Sequence, residues 1–274
     1  MRHISYILFS YVGTHYHGFQ YQPGLPTVEG CILSTMKNSS CFDEISKYTY
    51  SHGGRTDRGV SALGQIISLS LPEGCSLEKI AEVLNRECPG LKVWGIRQSL
   101  PPQFRIRYWA LWREYVYFDV IEKYRSSVDS LREAAQKVIS LETLRHFYKN
   151  FKIDSFPQKY FDRRLISIQI ENRGKSLILR IRGESFIYHF VRRLVSFFRK
   201  YDESLTFEEN LSKWEGGEAE AERLILSRVM TPYRHLSIYS AEEVASSLIS
   251  SLSWASSLPS PQILREQLLF SWDP

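Results

Sequence analysis

Gly53-Gly54-Arg55-Thr56-Asp57-Arg58-Gly59-Val60 stands between two apolar runs, residues 45–50 and 65–71, that read as strands. On chain chemistry alone it is a turn, because Gly supplies positive φ and Asp hydrogen-bonds its own backbone. It also sets two arginines and a carboxylate within four residues, where a segment joining two buried strands would normally be neutral. A strand–loop–strand reading makes the start of the chain a sheet, and the remaining elements are laid against it.

Upstream, residues 4–12 alternate and are rich in β-branched and aromatic side chains, which predicts an opening strand. A long aromatic and polar loop follows over 13–26, and Thr27 caps a helix over 28–36 with Glu29 in its first turn. Downstream, Ser76 caps a helix over 77–86 whose apolar face is Leu77, Ile80, Ala81 and Leu84. Strands are expected at 91–96 and, unusually long, at 108–120, where period two places Arg113, Tyr115 and Tyr117 on one face. A helix over 128–141, a hairpin of 164–171 and 176–183 turning at Asn172-Arg173-Gly174-Lys175, and a basic helix over 186–200 come next. Helical pieces at 207–214 and 219–226 and a short strand at 236–239 complete the pattern. The expected fold is α+β: two similar domains, 1–104 and 105–240, with mainly antiparallel sheets flanked by helices, and a helical appendage over 241–274.

The composition, 43% hydrophobic and 24% charged over 274 residues, is that of a folded globular protein. Lysine plus arginine exceed acids by 35 to 30, a mild bias towards polyanions. Cys31, Cys41, Cys75 and Cys88 have no CxxC spacing and the N-terminus lacks a secretory pattern, so reduced thiols in a cytoplasmic protein are expected. No apolar run approaches the roughly 18 residues of a membrane span. His15, His17 and His52 lack partners at ligand spacing, so no metal is expected. There is no nucleophile elbow, P-loop or dinucleotide fingerprint.

What remains is one carboxylate, Asp57, with arginines and tyrosines able to gather round it. Such a set suits a flipped nucleobase: guanidinium groups hold phosphates, an aromatic ring stacks on the base, and one aspartate suffices for attack at a nucleoside. Gly54 to Ala62, followed by Gln65, resembles the G-R-T-D-x-G-V-x-A motif of the TruA family of tRNA pseudouridine synthases. Four other segments are similar to that family in order: Tyr11 to Gln22 with Thr27-Val28-Glu29-Gly30; Leu84-Asn85 with Pro89 and Val93; Phe104 to Tyr117; and Ser185 to Arg193.

The resemblance implies that Asp57 is the catalytic aspartate, Tyr115 the tyrosine against the target base, and Arg192 the arginine paired with the aspartate. Arg55 matches the arginine that displaces the base. Arg58, Arg107, Arg113 and Arg193 are candidate RNA contacts, with Arg105, Arg199 and Lys200 as more generic ones. The implied reaction isomerises uridine to pseudouridine in the anticodon arm of tRNA, at positions 38 to 40, in an RNA-binding cleft between the two domains. It needs no cofactor. An adduct at the sugar, an adduct at the base and a glycal intermediate all remain open, and the family forms homodimers. The chain departs from the family pattern at Arg58, at Ser61, at Pro232-Tyr233-Arg234-His235-Leu236, which lacks a Gly, and over 142–162, where Arg145-His146-Phe147 replaces H-D-F. Two classes of function survive, a synthase and a non-catalytic RNA-binding protein. Asp57, Tyr115 and Arg192 together favour the enzyme.

Overall fold

Ile4, Tyr6, Ile7, Leu8, Phe9 and Tyr11 are all buried in the computed structural model, so the opening strand is covered on both faces. The structure describes residues 2–37, 50–72, 75–148, 157, 160–257, 261–270 and 272. The chain folds as two compact units, one of residues 1–113 with 225–274 and the other of residues 114–224. The strand expected over 45–50 lies, but for Tyr50, outside the described residues.

In the first unit β1 (Arg2–Tyr11) is central. After α1 (Val28–Lys37) and the short β2 (Ser51–His52) comes β3 (Ser61–Pro72), antiparallel to β1 with Ile7 opposite Ile67. The helix α2 (Leu77–Glu87) begins at the expected cap, where Ser76 Oγ accepts from the Lys79 N–H at 3.2 Å, and buries the four predicted residues. It packs on β4 (Leu91–Leu100), which flanks β1 antiparallel on its other side.

The long strand predicted over 108–120 begins only at Trp112. Before it, α3 (Ile106–Trp109) is a single helical turn whose Ile106 and Arg107 N–H groups are held by the hydroxyls of Ser68 and Ser51, both at 3.1 Å. These two distant serines decide the local conformation, and Tyr108 and Leu111, which read as strand residues, are left exposed.

The second unit takes β5 (Trp112–Val120) from Glu114 onwards, then α4 (Val128–Ile139), capped by Ser127. The hairpin β6 (Leu165–Arg173) and β7 (Ser176–Gly183) closes with Arg173 opposite Ser176 and with Gly174 at φ +65°, a conformation that glycine adopts without strain. The strand order here is β6-β7-β5. The basic helix α5 (Phe190–Lys200) starts four residues later than predicted, because His189 is left-handed at φ +60° and the Phe190 N–H closes a turn on Ile187 O. Helix α6 (Phe207–Lys213) carries a capping box of Thr206 and Glu209.

Residues 219–226, predicted as helix, contain instead a single tight turn at Ala221–Arg223 and the start of β8 (Leu224–Met230). Ile225 and Leu226 pair in parallel with Ser61 and Ala62 of β3 and are fully buried. Such short apolar runs serve a buried strand as well as a helix, and only the neighbouring strand settles it. The strand β9 (Leu236–Ser237) edges β4. Of the region from residue 241, α7 (Ala241–Ser250) packs against β1, β3 and β4, and α8 (Pro261–Leu269) packs on α7. Trp272 lies over Trp94 with ring centroids 4.6 Å apart and donates to Ser227 O at 3.2 Å, so these residues belong to the first unit's core.

Candidate active site

The loop between β2 and β3 is pinned from beneath by one buried amide. Gln65 Nε2 donates to Gly54 O at 2.8 Å while its Oε1 accepts from the Gly54 N–H at 3.1 Å. Arg113 holds the preceding residue: its Nε donates to Gly53 O at 2.8 Å and its Nη2 to Arg107 O at 2.9 Å. The loop then closes as a four-residue turn, the Val60 N–H donating to Asp57 O at 3.1 Å with Gly59 at φ +86° in the third position, which demands glycine. Thr56 Oγ1 lies 2.7 Å from the Tyr11 hydroxyl, and burial pushes that phenol well above its usual range.

The aromatic loop after β1 lies directly against this turn. Phe19 N–H donates to Thr56 O at 3.1 Å and Gly13 N–H to Ser61 Oγ at 2.9 Å. A methyl group at Gly13 would fall 2.3 Å from the carbonyl carbon and oxygen of Val60, backbone that the turn has already fixed. Gly13→Ala is therefore expected to destabilise the fold by about 1–3 kcal/mol through overpacking, read as a lower urea midpoint at unchanged m-value.

Arg55 and Arg58 are exposed on either side of the half-buried Asp57, and Arg107 is exposed on α3. His52 was not assigned a role by the sequence, yet it sits among the arginines. Its Nε2 accepts from Arg55 Nε at 3.4 Å and its ring lies 5.1 Å from that of Phe19. Burial, then the charges of Arg55, Arg107 and Arg113, hold its imidazole down at about 3, so it is a neutral acceptor. An unfolded His protonates near 6.5, and the folded one does not until about 3. Its contribution to stability is thus lost as pH falls from about 6.5 towards 3, with a slope of up to about 1.4 kcal/mol per pH unit. Unfolding free energies measured from pH 7 to 4.5 should fall less steeply for His52→Gln than for the natural protein.

In the second unit Tyr115 is buried on β5, edge-on to Phe186 with ring centroids 5.2 Å apart. Arg192, in the first turn of α5, donates from Nε to Ala219 O at 2.7 Å and pairs through Nη1 with Glu218 at 3.2 Å. The same carboxylate takes Arg193 Nη2 at 2.9 Å and lies 2.8 Å from His189 Nδ1. Glu218 therefore gathers the whole basic start of α5, a role no local pattern reveals, since its partners are 25 to 29 residues away.

Two of the expected RNA contacts are turned into the fold. Arg113 is 8% exposed and spends its guanidinium on backbone carbonyls, and Arg193 is 9% exposed, with its guanidinium 5.1 Å from the Tyr148 ring centroid. Arg199 is likewise tied, to Asp119 at 2.8 Å and to Glu220. Among the described residues no group of three His, Cys, Asp or Glu side chains could hold a metal, and no helix is long and apolar enough to cross a membrane.

Fold and loop define a class first: α+β chains whose leading antiparallel sheet presents a single aspartate in an Arg-Thr-Asp-x-Gly-Val turn. The tRNA pseudouridine synthase A of Methanothrix thermoacetophila is 35% identical over 189 residues, which are 68% of this chain and 65% of that one. Its counterpart in Thermococcus kodakarensis is 31% identical over 210 residues, 76% and 75% of the two chains. The chain belongs to the TruA family of tRNA pseudouridine synthases. Its match spans just under two thirds of the first of these relatives. A search of family profiles finds no match. Among solved structures, the archaeal box H/ACA sRNP Nop10-Cbf5 complex aligns with 93% of this chain and 59% of that one, at 14% identity and a TM-score of 0.38, a superposition too loose to build on.

Proposed function

We propose that the protein is a tRNA pseudouridine synthase that converts uridine to pseudouridine in the anticodon arm, at positions 38 to 40, with Asp57 as the catalytic residue. The observation that carries this reading is the loop itself. A family motif found in sequence is held by Gln65 and Arg113 in one defined turn, with a single carboxylate between two exposed arginines. In the reaction the N1–C1′ bond breaks, the uracil rotates, and C5 bonds to C1′. C5 then loses its proton and N1 carries one, so atoms and charge balance with no redox step and no external reactant. Asp57 takes part in the bond exchange at the nucleoside, Tyr115 packs on the base, and Arg192 supports the aspartate. These roles are carried by the family motif.

Arg58 and Arg107, whose side chains are exposed, take backbone phosphates, and Arg55, exposed as well, takes the vacated stack or a neighbouring phosphate. Arg113 and Arg193 act from behind, one fixing the loop and the other the start of α5. The protein works in the cytoplasm as a homodimer, which sedimentation tests directly. The decisive experiment incubates the purified protein with transcribed tRNAs and maps pseudouridine. Product at 38 to 40 supports the full reading, and product elsewhere retains the chemistry but overturns the position. Tight, salt-sensitive tRNA binding without any product would make it a non-catalytic RNA-binding protein.

A further inference from the structure

The proposed reaction uses no thiol, yet α1 and α2 bring two together. Cys31 is in the first half of α1, half-buried, and Cys88 caps the C-terminus of α2 with 2% of its surface exposed. Cys31 Sγ is 3.8 Å from the carbonyl oxygen of Glu87, the residue before Cys88, and Cys88 Sγ is 3.7 Å from the hydroxyl of Thr35, one turn along α1 from Cys31. No disulfide joins them.

Their surroundings divide the labour between the two sulfurs. The groups facing Cys31 are Cys88, Thr35, Tyr16 and Glu87. The neighbouring Cys88 thiol lowers Cys31, and the same neighbour, with burial, raises Cys88. The more accessible sulfur is therefore the more readily ionised of the two, and the buried one is its proton-bearing neighbour. That is the arrangement of an attacking thiol beside a resolving one.

We propose that Cys31 and Cys88 form a dithiol that a hydroperoxide closes to a disulfide. The Cys31 thiolate attacks the terminal oxygen of the hydroperoxide; the O–O bond breaks and the alkoxide leaves with a proton as the alcohol, giving a sulfenic acid on Cys31. Cys88 gives up its thiol proton and its sulfur bonds to the Cys31 sulfur, expelling the hydroxyl with that proton as water. The two cysteines lose two protons and two electrons in all, and the hydroperoxide is reduced to alcohol and water.

The link would act close to the loop that packs against the Asp57 turn. Tyr16 OH donates to Pro89 O at 2.6 Å, Val12 N–H donates to Gly90 O at 3.1 Å, and the His15 ring covers Gly90. Joining Cys31 to Cys88 also restrains the unfolded chain, so the oxidised protein should melt at a higher temperature than the reduced one.

The test treats the reduced full chain with one equivalent of tert-butyl hydroperoxide at neutral pH and maps peptides by mass spectrometry without reductant. A Cys31–Cys88 cross-linked peptide, lighter by two hydrogens than its two parts, is expected, together with a raised Tm that a dithiol reductant reverses. Cys88→Ser should stop at a sulfenic acid on Cys31, captured by dimedone, and Cys31→Ser should leave Cys88 as a thiol. Accumulation of sulfinic acid on Cys31 in the natural protein with no cross-link, pairing with Cys41 or Cys75 instead, or thiols left untouched would each overturn the proposal.

Discussion

Asp57→Asn is expected to lower the rate of pseudouridine formation by about a thousand-fold or more while leaving tRNA affinity unchanged or slightly tighter. The loop geometry makes this a clean substitution. The turn is held through the main chain, Asp57 O accepting from Val60 N–H, and Gly54 is clamped by Gln65, so neither contact depends on the carboxyl group. Asparagine is isosteric and as good a turn former, so the turn itself is kept. The substitution removes one negative charge from beside Arg55 and Arg58, and so cannot weaken their hold on phosphate. Asp57→Glu provides a second measure. It keeps the charge but moves it by one methylene, and a displacement of about 1 Å at a reacting centre costs about a hundred-fold. Single-turnover assays with saturating enzyme, alongside filter binding, separate chemistry from affinity. Turnover of Asp57→Asn within about ten-fold of the natural protein would remove Asp57 from the chemistry.

The features legible in the sequence are those whose causes lie within a few residues. The Ser76 cap and apolar face of α2 follow from i, i+3, i+4 spacing, and the 172–175 turn from its glycine, and both are found as read. The loop was legible for a different reason: its residue types are unusual for a connector. What escaped is what distant partners decide. Ser51 and Ser68 turn residues 106–109 into a helical turn, β3 draws Ile225 and Leu226 into a strand, and Glu218 collects three side chains from the start of α5. Arg113 illustrates the same limit within the site. Its place on a strand beside Tyr115 was readable, but whether its guanidinium faced solvent or the Gly53 carbonyl depended on a loop 60 residues away. His52 reads by residue type as a metal ligand, whereas its charged neighbours are the cations Arg55, Arg107 and Arg113.

Glu114→Ala is expected to cost about 3–5 kcal/mol of stability. Glu114 is fully buried on β5, and the neighbouring strand β7 brings Arg180 and Arg182, two residues apart and hence on one face, to its two oxygens. Oε1 accepts from Arg180 Nη1 at 2.7 Å, and Oε2 from Arg182 Nη2 at 2.7 Å and Nε at 3.1 Å. Removing the carboxylate takes from a 3%-exposed guanidinium the counter-charge that Glu114 supplies, which is more costly than never having had the pair. Replacing the group together, as Glu114→Leu with Arg180→Met and Arg182→Met, should therefore recover most of the loss. Urea titrations of the single and triple variants read both effects. A loss below about 1 kcal/mol for Glu114→Ala would mean that water reaches Arg180. Successive residues on a strand face opposite ways, so Glu114 secures β5 from the side opposite to Tyr115. At a temperature where Glu114→Ala is still folded, its activity per folded molecule should match the natural protein. A fully folded Glu114→Ala that makes no pseudouridine would place the buried carboxylate in the chemistry itself.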